Sequence, residues 1–322
     1  MKILPNSYNC FYSAIFDILK PKFEKNTHLL INNRWQFFFN PKLDYTDDLR
    51  PIGEHPILYD EKHFSMLKDA LGIDIRLMRI KKSSLDDFKQ VINQQPVIIF
   101  ANKIYFVPNI TIGLRRCVST IMVKGNREEN IICKTYDNDL VTLQNIKIDE
   151  LYNSWKFASD LEQLNEGYIK ILFDTSPTET DIINFARKCM RDSLEDYINS
   201  VGFFNTSEKI FIGVEGIIEF ATQLTDGVGF NSQMLIDCSM YLDIVIRQRK
   251  QFALSLESVI NRQEREIIVN INDIIEQWQN VKILLFIIGT RKQENSLAQI
   301  RPIMNKLILD EIELVKKIKM VL

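Results

Sequence analysis

The sequence predicts an α+β protein of two consecutive domains, residues 1–175 and residues 176–322. Two observations carry this reading. Up to about residue 175, short helical patterns alternate with apolar, β-branched runs of strand length. Beyond it the apolar residues recur at the helical period, and the change is marked by Ser176-Pro177-Thr178-Glu179, a capping-box pattern with proline at the first helical position. The first domain is therefore expected to be α+β and the second an all-helical bundle of about five helices.

Taken in order, Phe11, Ala14, Ile15, Ile18 and Leu19 predict an amphipathic helix that begins at Cys10, with Asn6, Ser7 and Asn9 as N-cap candidates. The stretch NNRWQFFFNPKLDY reads as loop. A helix follows over 61–71, then a strand in IDIRLMRI, then a short helix in SSLDDFKQVINQQ opened by Ser83 or Ser84. PVIIF, KIYFVP, STIMV, NIICKTY and YIKILFD read as strands, with KGNREE as a hairpin turn. In the second half, Ile182, Phe185, Ala186, Cys189, Met190, Leu194, Tyr197 and Val201 line the first helix. Four more helical stretches follow, and Gly289 is the expected terminator of the fourth.

Composition narrows the function. Hydrophobic residues make up 46% and charged residues 25%, the balance of a globular chain with a core rather than a disordered one. The net charge of -2 argues against nucleic acid or an anionic membrane surface as a general partner. The start MKILPNSYNC is a poor signal peptide, and the longest apolar run, 283–288, is far too short to span a bilayer, so a cytoplasmic protein is expected. Cys10, Cys117, Cys133, Cys189 and Cys238 are dispersed and form no CxxC, which predicts neither a disulfide framework nor a metal site. Gly213, Gly216, Gly227 and Gly229 do not form a phosphate-binding loop, and no cofactor is expected.

Cys10 is the candidate for chemistry. A thiol at a helix N-terminus feels the positive end of the dipole and unpaired N–H groups, and both favour the nucleophilic thiolate. The competing reading is a small buried hydrophobe. An Asn-Cys-aromatic step opening the first core helix, followed by strands, is the layout of papain-like enzymes. Such a site needs an imidazole to take the thiol proton and an Asp or Asn to orient it. The chain has three histidines, His28, His55 and His63, and none stands on the candidate strand RRCVSTIMVKGN. His55 and His63 are the substitutes to weigh; His28 reads as a structural residue. Asp137 is either the orienting acid or a turn residue. Arg115 and Arg116 would hold a thiolate, phosphate or carboxylate, or form a solvated sheet edge. Together with Asn6, Asn9 and Ser119 they are the substrate-binding candidates.

Over essentially its whole length the chain resembles the butirosin biosynthesis protein H family. The pieces that carry the likeness are NCFYSAIFDIL, QQPVIIFANKIYFVPN and the VSTIMVKGN–NIICKTYD hairpin in the first half. In the second they are GVEGIIEFATQL, YLDIVIRQRKQFALSLESV and the helix carrying Trp278. The resemblance implies a papain-like, cysteine-peptidase-like domain fused to a helical domain. It implies transfer of an acyl or peptidyl group from a carrier-protein phosphopantetheine thioester to a small-molecule amine, through a cysteine acyl-enzyme, in antibiotic and other secondary-metabolite biosynthesis. Cys10 then matches the nucleophile and Asp137 the orienting acid. The sequence departs from the family where its histidine falls, near Cys117 to Ser119, and at Asn102-Lys103, where the family carries an acidic residue. A catalytically degenerate descendant, binding a carrier-bound intermediate or product as a scaffold, is the alternative. An exposed apolar stripe on the last helices would favour a homodimer.

Overall fold

A computed structural model describes residues 10–31, 33–40, 52–53, 61–79, 84–94, 96–102, 118–127, 130–137, 140–156, 167–200, 210–227 and 230–322. The chain is mixed α+β and divides into two compact units. One comprises Met1–Asn32 and Leu58–Ile182, the other Asn33–Ile57 and Ile183–Leu322. A single cut at 175 does not reproduce this division, because the segment from Asn33 to Ile57 belongs to the second unit. The physical reason is its aromatic content. Trp35, Phe37, Phe38 and Phe39 are all buried, and full burial of one such side chain is worth about 1.5–3 kcal/mol.

The first unit is built on a six-stranded antiparallel sheet of order β3-β8-β4-β5-β6-β7, with β3 Ile73–Arg79, β4 Val97–Asn102, β5 Val118–Arg127, β6 Asn130–Asp137, β7 Leu140–Lys147 and β8 Gly167–Phe173. The helices α3 Leu85–Ile92 and α4 Ile148–Lys156 cover one face of this sheet. There Phe88, Val91, Ile92, Leu151 and Trp155 pack with Val97, Ile99, Ile121, Val123, Ile131 and Cys133. Ser84 caps α3 in a capping box with Asp87, as the Ser-Leu-Asp-Asp sequence suggests. Helix α1, Cys10–Phe23, lies against β5 and β6, and α2, Glu61–Leu71, leads into β3. Gly72 makes that turn at φ +64, a conformation that β-carbon-bearing residues rarely adopt. The proposed strand KIYFVP lies outside the described residues. The strand β7 and helix α4 were not anticipated, and residues 124–127, expected in a turn, continue β5.

The second unit holds α6 Gly213–Asp226, α7 Ser232–Val259, α8 Glu266–Arg291, α9 Arg301–Val321 and most of α5 Glu179–Ile198. A three-stranded antiparallel sheet accompanies them, of order β2-β1-β9, with β1 Phe38–Phe39, β2 Ile52–Gly53 and β9 Phe211–Ile212. The stretch around Trp35, read as loop, is thus partly strand. Phe37 stacks on Trp278 with ring centroids 5.5 Å apart, and Trp35 meets Phe252 edge-on at 5.2 Å. Helix α5 starts at Glu179, and its box is Thr178 with Asp181 rather than Ser176 with Glu179: the Asp181 amide donates to Thr178 Oγ1 and the Thr178 amide to the Asp181 carboxylate. Gly289 does not end α8, which runs on to Arg291 and is capped by Lys292 at φ 53. Its role is close packing, since a β-carbon there would stand 2.7 Å from the Ser232 carbonyl oxygen on α7.

At the centre of this unit lies a fully buried ion pair, Arg249 with Glu311, both 0% exposed. Arg249 donates to Glu311 through Nε at 2.9 Å and Nη2 at 2.5 Å, and to the Gln36 carbonyl through Nη1 at 2.9 Å. The indoles of Trp35 and Trp278 donate to the same carboxylate at 2.7 and 2.9 Å. Hydrogen bonds from three side chains thus accompany the charge, the condition under which a buried pair is tolerated. No helix among the described residues is long and apolar enough to cross a membrane.

Candidate functional site

Of the residues singled out from the sequence, Cys10, Ser119 and Asp137 lie within described elements, α1, β5 and β6. Cys10 is the first residue of that helix, and no acidic residue stands in its first turn to oppose a thiolate. The side chains of Cys10, Ser119 and Asp137 and residues Asn6, Asn9, Arg115 and Arg116 lie outside the described residues.

Two contacts orient α1 on the sheet. Asp17 forms a half-shielded ion pair with Lys134 on β6, and the Phe11 ring stands 5.9 Å from that of Phe100 on β4. In register, Lys134 pairs with Met122, Phe100 with Thr120, and Ala101 with Ser119. From Asp17 back to Phe11, α1 therefore runs toward the end of the sheet where β5 begins and β6 ends. Cys10, Ser119 and Asp137 consequently stand at one end of this unit. Lys134 and Phe100 occupy the positions that meet α1, and Ile121 and Cys133 alternate with them. Ala101, Ile121 and Cys133 belong to the core under α3 and α4.

The two described histidines are committed elsewhere. His63 is buried, and its Nε2 lies 3.0 Å from the Leu30 carbonyl. A carbonyl oxygen only accepts, so that nitrogen carries the proton. His28 is buried too, and desolvation lowers its pKa below the usual histidine range. His55 lies outside the described residues. One neighbour was not legible from sequence: Phe64 meets Phe11 with centroids 6.0 Å apart, which brings the start of α2, and His63 with it, near the start of α1. Nothing in the spacing of residues 11 and 64 signals it.

Three other thiols serve as a contrast. Cys133, Cys189 and Cys238 are free and buried. Burial pushes the Cys133 and Cys189 thiols up to about 12, with the Asp192 charge adding to the effect at Cys189, and raises Cys238 still further. Among the described residues no group of three or more His, Cys, Asp or Glu side chains is arranged to hold a metal ion. No family model matches the chain, and no curated protein matches it.

Proposed function

We propose that this chain is a cytoplasmic acyltransferase-family protein of bacterial natural-product biosynthesis, with a papain-like first domain and Cys10 as its nucleophile. The observation that carries the reading is the position of Cys10 at the N-terminus of a helix held against the ends of β5 and β6. In the first step the Cys10 thiolate attacks the carbonyl carbon of an acyl or peptidyl thioester on a carrier protein. A new carbon–sulfur bond forms, and the phosphopantetheine thiolate leaves. In the second step an amine attacks the acyl-enzyme, loses its proton to solvent or a base, and expels the Cys10 thiolate.

Magnitudes favour a thioester over a peptide. A helix terminus is worth about 0.3–1 kcal/mol to an exposed charge, and one pKa unit is about 1.4 kcal/mol. The dipole alone is therefore a modest aid to the thiolate. Absence of a positioned general base forfeits about 10²–10⁴-fold. An activated thioester tolerates that loss in the first step; an amide does not.

Asp137 enters as the orienting acid at the same end of the sheet, and Asn6, Asn9, Arg115, Arg116 and Ser119 as substrate contacts. The part of Asp137 is tested separately: Asp137→Asn should slow transfer if it orients the reacting group, and leave it unchanged if it is a turn residue.

A second reading, a binding module that holds a carrier-linked intermediate without turning it over, is favoured by the burial of both described histidines. The deciding experiment is intact-protein mass spectrometry after incubation with an acetyl N-acetylcysteamine thioester. The acyltransferase reading expects a mass gain equal to one acetyl group on the wild type and none on Cys10→Ala. No gain on the wild type, with carrier binding retained by Cys10→Ala, would leave the binding module as the function.

A further inference from the structure

We draw no further inference here: the strongest candidate, the buried side chains of Gln248 and Gln251 one turn apart on α7, whose amide atoms have no hydrogen-bond partner among the described residues, carries nothing because the structure does not show what faces them and buried water would satisfy them as well as a ligand.

Discussion

Removing Glu311 should be among the most destabilising single changes in this protein. Its carboxylate accepts four hydrogen bonds, two from Arg249 and one each from the Trp35 and Trp278 indoles. Glu311→Ala leaves a fully buried guanidinium that keeps the Gln36 carbonyl and the rings of Trp35, 4.2 Å away, and Tyr197, 5.6 Å away. Breaking a buried pair in this way costs about 3–5 kcal/mol. Arg249→Met should cost less, because the carboxylate keeps both indole donors. The double variant, Arg249→Met with Glu311→Leu, removes both charges and leaves only two indole N–H groups and one carbonyl unpaired. Its cost should fall short of the sum of the two singles by more than about 2 kcal/mol, within the range of coupling between contacting residues. The assay is urea unfolding in a Trp155→Phe background, where fluorescence reports Trp35 and Trp278 alone. The midpoint shift at unchanged slope gives the free energy. Single-variant costs below about 1 kcal/mol, well under the cost of breaking a buried pair, would refute the reasoning, as would a double variant that equals their sum.

Three further outcomes follow from the geometry. Gly213→Ala should lower the unfolding midpoint by more than Gly227→Ala. Both glycines have positive φ, but a β-carbon at 213 would stand 2.2 Å from the Tyr197 carbonyl oxygen, whereas at 227 it meets nothing within 4 Å; the conformational part alone is about 1 kcal/mol. Asp74→Asn should destabilise at neutral pH, with the difference from wild type closing in acid. The Arg76 guanidinium, bonded through Nε at 2.6 Å, holds the Asp74 carboxyl below its usual range, with Lys68 assisting. A depressed folded-state pKa contributes stability that is present above the unfolded value, about 3.9, and lost as pH falls through the folded one. Urea midpoints between pH 7 and pH 2 would show it, and a difference that persists at pH 2 would contradict it. Gln248→Leu should be neutral or stabilising in the same assay, since replacing unpaired buried amide atoms by an apolar group removes a desolvation cost; a clear loss would show that the amide has a structural partner.

Much of the fold was legible, for identifiable reasons. Wherever apolar residues kept one period over two or more turns, as in α1, α2, α6 and α7, the helix is where the pattern puts it, and α8 differs at its end, running past Gly289 to Arg291. Capping residues marked α3, but at α5 two overlapping Ser/Thr patterns competed, and Thr178 with Asp181 prevailed. The polar strand β7, LVTLQNIK, gave little signal because an edge strand with Leu143 exposed lacks clear alternation. The transfer of Asn33–Ile57 to the second unit was not readable, because the aromatic pocket that receives Trp35 and Phe37 is assembled from residues such as Phe220, Phe252 and Trp278. Local reading fails in the same way at Arg249, which sits in the polar run RQRKQ yet is buried by a partner 62 residues onward. At the candidate site, the helix start at Cys10 could be read directly. The proximity of α2 depends on tertiary packing.

The reading of Cys10 as a nucleophile is tested most directly by its alkylation rate with iodoacetamide as a function of pH, followed by peptide mass spectrometry. Cys133, Cys189 and Cys238 provide internal controls, because burial holds them protonated and inaccessible. The account predicts fast labelling of Cys10 that persists below about pH 8.5, the reference thiol value, while the three buried thiols stay unmodified in the folded protein. Labelling of Cys10 as slow as theirs, or with an unshifted profile, would contradict it.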